Sequence, residues 1–279
     1  MNLKRLVSAE LLVLGKRTST WVLFALWTLL AAIFGYLVPY LTYRNSAGAR
    51  GGPLAELLPQ NLGDHLAASF PFYGGAFALM MGVLALGSEY GWGTWKTLFT
   101  QGPGRPRIFA AKLLALAMAL IPFVLVVFLV GLVISLLIAQ IEDAVIGWPA
   151  ISTLIESFAA GWFLLAVWAA FGVMLAVLSR GTSLAIGIGI LYGMALEGLL
   201  SAFASQVSFL EPAVKFLLRA NGYSLVKGLG AAVQGSANDG PGSFPGPFVG
   251  STQAFVVLAL YLAGFLMISL YLIRRRDIA

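Results

Sequence analysis

The sequence predicts an all-α integral membrane protein with six transmembrane helices, both termini cytoplasmic and an amphipathic interfacial helix at the N-terminus. Hydrophobic residues make up 60% of the 279 positions and charged residues only 10%, against roughly 45–50% and about 25% in soluble domains. Six apolar stretches, near 21–41, 67–87, 113–139, 157–178, 183–203 and 253–273, are each long enough to cross a hydrocarbon core of about 30 Å, which takes roughly 20 helical residues. Lys and Arg then give the direction. With both ends inside, Lys4, Arg5, Lys16, Arg17, Lys96, Arg105, Arg107, Lys112, Arg180 and Arg274 to Arg276 are cytoplasmic, while Arg44, Arg50, Lys215, Arg219 and Lys227 lie outside. This division of 12 against 5 follows the positive-inside rule for short loops.

Residues 1–20 open with "MNLKRLVSAELLVLGKR", where Leu3, Leu6, Val7, Leu11 and Leu14 recur at helical spacing and Lys4, Arg5 and Lys16 fall largely elsewhere on the wheel. Such a helix is suited to lie in the cytoplasmic interface. The first span begins too late and runs too long for a cleaved signal h-region, so it is expected to remain in the mature protein. Spans two and three are joined by the cytoplasmic segment 88–112. Between spans five and six lies an outer segment, 204–252: "EPAVKFLLRANGYSLVKGLGAAV" suits short helices at the outer interface, and "GSANDGPGSFPGPFVG" has the Gly, Pro and Asn of an irregular loop. No internal repeat and no soluble domain is evident.

The side-chain inventory excludes much chemistry. There is no Cys and one His, His65, which argues against disulfides, thiolate or His-based metal sites and Ser-His catalysis. The net charge of +6 sits beside apolar spans, where orientation and anionic lipid explain it better than nucleic acid does. Glu89, just past the second span, is a candidate for an inter-helix ion pair with Arg17, or for one with Arg105. Glu197 falls roughly 20 Å into span five by helical rise, at about 1.5 Å per residue. An ionisable residue at such depth is a functional candidate by default. It either lines a substrate pathway or sits at a span end, in the headgroups or paired with Lys215 or Arg219.

The stretch "GSEYGWGTWKTLFTQGPGRPR" from Gly87 to Arg107 mimics a phosphate loop, but no Gly precedes Lys96 and the Walker spacing is missing. Gly102, Pro103, Gly104 and Pro106 instead punctuate a turn, Thr94 to Thr100 suit a short helix before it, and Arg105 and Arg107 offer charge-assisted hydrogen bonds. The order "GSEYGWGTWKTLFTQGPGR", followed by Lys112 and, after the last span, "RRRDIA", resembles the ABC-2 type permeases, the membrane subunits of ATP-binding-cassette transporters. The resemblance implies that the N-terminal helix is a connecting helix. It also implies that Thr94, Trp95, Lys96, Gly102, Pro103, Gly104, Arg105 and Arg107 form the element coupling to a separate ATPase.

The expected function is therefore the permease subunit of an ATP-driven exporter in the cell (inner) membrane, acting as a homodimer or with a second permease. The chain itself is expected to catalyse nothing and to bind no cofactor, ATP and Mg belonging to the ATPase. Antimicrobial peptides, hydrophobic drugs and lipid-like molecules are the substrate classes that the analogy suggests. The alternative is a secondary, ion-coupled transporter, for which broken helices at matching places and buried charges along an ion path are the expected signs.

Overall fold

The computed structural model describes residues 2–45, 54–95, 104–204, 207–231, 244 and 246–275, and all regular structure among them is helical. In chain order the principal helices are α1 (Leu3–Lys16), α2 (Thr18–Asn45), α3 (Leu62–Ala67), α4 (Phe70–Gly91), α5 (Arg105–Ile141), α6 (Ile151–Ser179), α7 (Ser183–Ala204), α8 (Leu218–Gly228) and α9 (Ser251–Arg275). Six of them, α2, α4, α5, α6, α7 and α9, are long and apolar enough to cross a membrane. The chain is a multi-pass membrane protein.

Helices α4 and α6 form the centre and are largely buried, whereas α2, α5, α7 and α9 turn most of their apolar surface outward. The central pair approaches closely because small residues leave room. Gly82 lies against the Ala169 carbonyl and Gly172 against the Leu79 carbonyl, while Gly75 faces the Trp168 indole. Small residues are what let helix backbones approach inside a bilayer, where helix contact gains little from expelling lipid. Phe70, Phe77 and Leu86 of α4 and Leu164 of α6 share one core with Trp27 of α2 and Leu120 of α5, and the Trp27 Nε1 donates to the Phe123 carbonyl at 3.0 Å.

Three spans contain π-helical stretches: Ile33–Leu37 in α2, Phe70–Gly74 in α4 and Leu191–Leu196 in α7. Such turns displace the carbonyl ladder and frequently accompany functional sites. The Gly35 carbonyl of the first accepts from His65 Nε2 on α3. His65 packs edge-on to Tyr36, and its burial holds the imidazole below its ordinary pKa, with the Gly35 contact acting the other way.

Two elements depart from the sequence expectation. The third span begins at Arg105 rather than near 113, because Gly104 supplies an extended residue before the helix and Pro106 fits its first turn. At 37 residues α5 is about 56 Å long by helical rise, so its first turns project past a hydrocarbon core. Helix α8, expected as a short helix at the outer interface, is buried against the rest of the protein from Leu218 to Val226.

Candidate functional site

Four charged side chains converge where α1, α2, α4 and α5 meet. Lys112 stands two turns into α5, on an otherwise apolar face, and is 2% exposed. Its Nζ lies 2.8 Å from Glu10 Oε2 of α1 and 2.9 Å from Glu89 Oε1 of α4. Arg17, at the break between α1 and α2, places one terminal nitrogen 3.5 Å from Glu89 Oε1 and donates with the other to the Leu84 carbonyl at 2.6 Å. The Thr94 hydroxyl donates to Glu89 Oε2. Two carboxylates thus balance two cations. That balance is what makes burial tolerable, since an ion removed from water costs several kcal/mol unless paired and hydrogen-bonded.

Aromatic residues close this node. The Trp95 ring lies 5.9 Å from Lys112 Nζ and packs on Tyr90, and Trp95 is 2% exposed. It supports the node instead of presenting surface. Trp92, 66% exposed, lies under the Arg17 guanidinium at 5.1 Å. Between them Gly93 takes φ +65°, a left-handed turn for which glycine carries no steric penalty.

Of the residues singled out from the sequence, Arg17, Glu89, Thr94 and Trp95 are thus brought together. Arg105 does not pair with Glu89; it donates to the Ile273 carbonyl at 3.4 Å, tying the start of α5 to the end of α9. Arg105 and Arg107 are helical residues in the first turn of α5 and not part of a preceding turn, with Gly104 next to them at the helix cap. Lys96, Gly102 and Pro103 lie outside the described residues. Sequence reasoning missed Lys112 and Glu10 as the closing partners. The available signal was a Lys placed inside the apolar pattern of a span, which needs a carboxylate from a neighbouring element.

Glu197 occupies a second polar cluster, away from this node. It directly follows the π-helical stretch of α7 and is fully buried. Oε1 accepts from the backbone N–H of Leu218 at 3.1 Å and Oε2 from that of Arg219 at 2.6 Å, so the carboxylate caps the N-terminus of α8, where helix N–H groups lack internal partners. The Arg219 guanidinium is stacked 4.5 Å over Phe72 and 5.5 Å over Tyr223. One turn beyond Glu197, Ser201 donates to the Gly246 carbonyl. In this conformation Glu197 holds α8 to α7 and is closed to solvent. A pairing of Glu197 with Lys215 is not formed; Lys215 pairs with Glu211 at 2.7 Å. Glu197→Ala removes both acceptors, and a lost helix cap costs about 0.5–2 kcal/mol. Tryptic cleavage at Arg219 in the intact protein is therefore expected to accelerate, and unchanged cleavage would count against the capping role.

Where α4 meets α7, an apolar cavity of about 10 Å³ is lined by Phe72, Trp168 and Gly193 among others, room for about one water molecule. Among the described residues no three His, Cys, Asp or Glu gather to hold a metal ion. No curated protein matches the chain. A family described as a protein of unknown function, DUF2705, matches residues 28–279, and the chain belongs to that family.

Proposed function

We propose that this member of the DUF2705 family is the permease subunit of an ATP-driven transporter, built like an ABC-2 type permease and working with a separate ATPase. The observation that supports the reading best is the buried node of Glu10, Arg17, Glu89 and Lys112. It joins α1 to the end of α4 and the start of α5, so that a push on the segment after α4 moves three helices together. In this reading α1 is the connecting helix in the cytoplasmic interface, both termini are cytoplasmic, and the protein resides in the cell membrane. The coupling element runs from Thr94 to Arg107, entered through Trp92 and Gly93 and ending in the first turn of α5. ATP and Mg are held by the ATPase, in keeping with the missing Walker spacing. The transport direction is outward and the cargo hydrophobic or amphipathic, by analogy with the family it resembles.

Co-expression with the ATP-binding-cassette ATPase encoded by a neighbouring reading frame provides the test. The two are expected to co-purify and to show ATPase activity that the permease alone lacks. ATP binding by the isolated chain, or transport driven by an ion gradient without an ATPase, would replace this reading with another.

Orientation has its own test, free of background because the chain contains no Cys. Val145→Cys, at a position 89% exposed beyond α5, is expected to react with a membrane-impermeant thiol reagent on intact cells. Gly104→Cys is expected to react only after permeabilisation. The reversed pattern would invert the topology.

A further inference from the structure

We infer that the end of the bundle carrying the Lys112 node is a docking face for an acidic protein surface, an inference resting on the permease reading and extending it to the chemistry of the partner. Helix ends are gathered there by direct contacts. Arg105 binds the Ile273 carbonyl, which brings the start of α5, with Arg107, to the same end as Arg274 and Arg275 of α9. A Cβ on Gly87 of α4 would meet Thr182 and the Gly181 carbonyl, which brings Arg180 to the same end. Lys16 is the neighbour of Arg17, whose guanidinium covers Trp92. Lys16, Trp92, Arg107, Arg180, Arg274 and Arg275 are all exposed.

The described acids of this end are withdrawn from its surface. Among the described residues the carboxylates at this end are Glu10 and Glu89, and both are bound to Lys112. The node therefore does more than neutralise a buried ammonium: among the described residues it leaves the exposed surface at this end cationic, because its two carboxylates are held by Lys112. Four of the five exposed cations named are Arg, whose planar fork binds carboxylates in a bidentate manner that a Lys ammonium does not reproduce. An exposed Trp at their side supplies the large, stiff anchor that protein interfaces concentrate their binding energy on. Of these groups the node holds Trp92, which the Arg17 guanidinium covers, and an anchor placed before docking lowers the ordering cost of association.

Two measurements test this on the full chain in nanodiscs of neutral phosphatidylcholine. First, poly-L-glutamate is expected to bind with an affinity that falls about tenfold or more from low salt to physiological salt and above, as exposed charge pairs become screened. The triple variant Arg107→Glu, Arg180→Glu, Arg274→Glu is expected to lose that binding while eluting as the wild type does. Second, the same triple variant is expected to lose co-purification with the co-expressed ATPase, and suppressors in the ATPase are expected to replace Asp or Glu by neutral or basic residues. Polyglutamate binding without any ATPase partner would leave the acidic-surface inference standing and remove the permease reading. An ATPase complex that tolerates the triple variant would do the reverse. Loss of polyglutamate binding once anionic lipid is added to the nanodisc would show that headgroups cover these cations and would overturn the inference.

Discussion

Gly82→Leu is expected to yield no folded protein. Any Cβ at position 82 would overlap the backbone carbonyl of Ala169, and the neighbouring contact of Gly172 with the Leu79 carbonyl shows that the two backbones touch along this stretch. A side chain meeting another side chain can change rotamer; one meeting a backbone must push a whole helix away. Adding methylenes to a packed core typically costs about 1–3 kcal/mol when side chains can shift. Parting α4 from α6 forfeits the contacts of the two most buried spans, which is a large share of a total stability of about 5–15 kcal/mol. Fluorescence-detected size-exclusion chromatography of a tagged variant should show aggregate in place of the monodisperse wild-type peak. Gly187→Leu is the control, because a Cβ there has nothing within 4 Å and the residue lies on α7, turned away from the core. If Gly82→Leu elutes and melts like Gly187→Leu, the close approach of α4 and α6 is wrong.

Lys112→Met is expected to have the next largest effect. Met keeps the apolar stem and removes the ammonium that lies 2.8 Å from Glu10 and 2.9 Å from Glu89. Glu89, 6% exposed, then retains only Arg17 at 3.5 Å and the Thr94 hydroxyl, and Glu10 loses its partner. Breaking a buried ion pair by removing one member costs about 3–5 kcal/mol, because the other charge stays behind without compensation. For a chain of this size about 2–4 °C of melting temperature accompanies each kcal/mol, so a fall of at least about 6 °C is expected in detergent. The double change Lys112→Met, Glu10→Gln removes one charge of each sign and leaves Glu89 with Arg17, and should recover much of that loss. If the permease reading holds, it should recover stability without recovering stimulation of the ATPase. A melting temperature unchanged by Lys112→Met would mean that the node contributes nothing to the fold.

The sequence by itself determined the all-α, membrane-spanning class and the number of spans. Both follow from one strong rule: a backbone in hydrocarbon must satisfy its own hydrogen bonds, so about twenty apolar residues in a row can only become a helix that crosses. Its span limits were short at most ends, most of all at Arg105, because α5 continues as a helix after leaving the apolar stretch, where hydropathy no longer reports it. What only the tertiary structure decided were the long-range contacts. Glu89 was visible as a candidate for pairing, yet its bond to Lys112 and the third member, Glu10, depend on α1 lying against α5, which no local pattern encodes. The sequence suited helix α8 to the outer interface, and nothing local in it announced burial inside the protein. It is buried because Glu197 caps its first N–H groups and Phe72 and Tyr223 enclose Arg219. Polarity predicts exposure only while water is the best available partner; once distant parts of the chain supply the hydrogen bonds and ring faces, the same residues are stable inside.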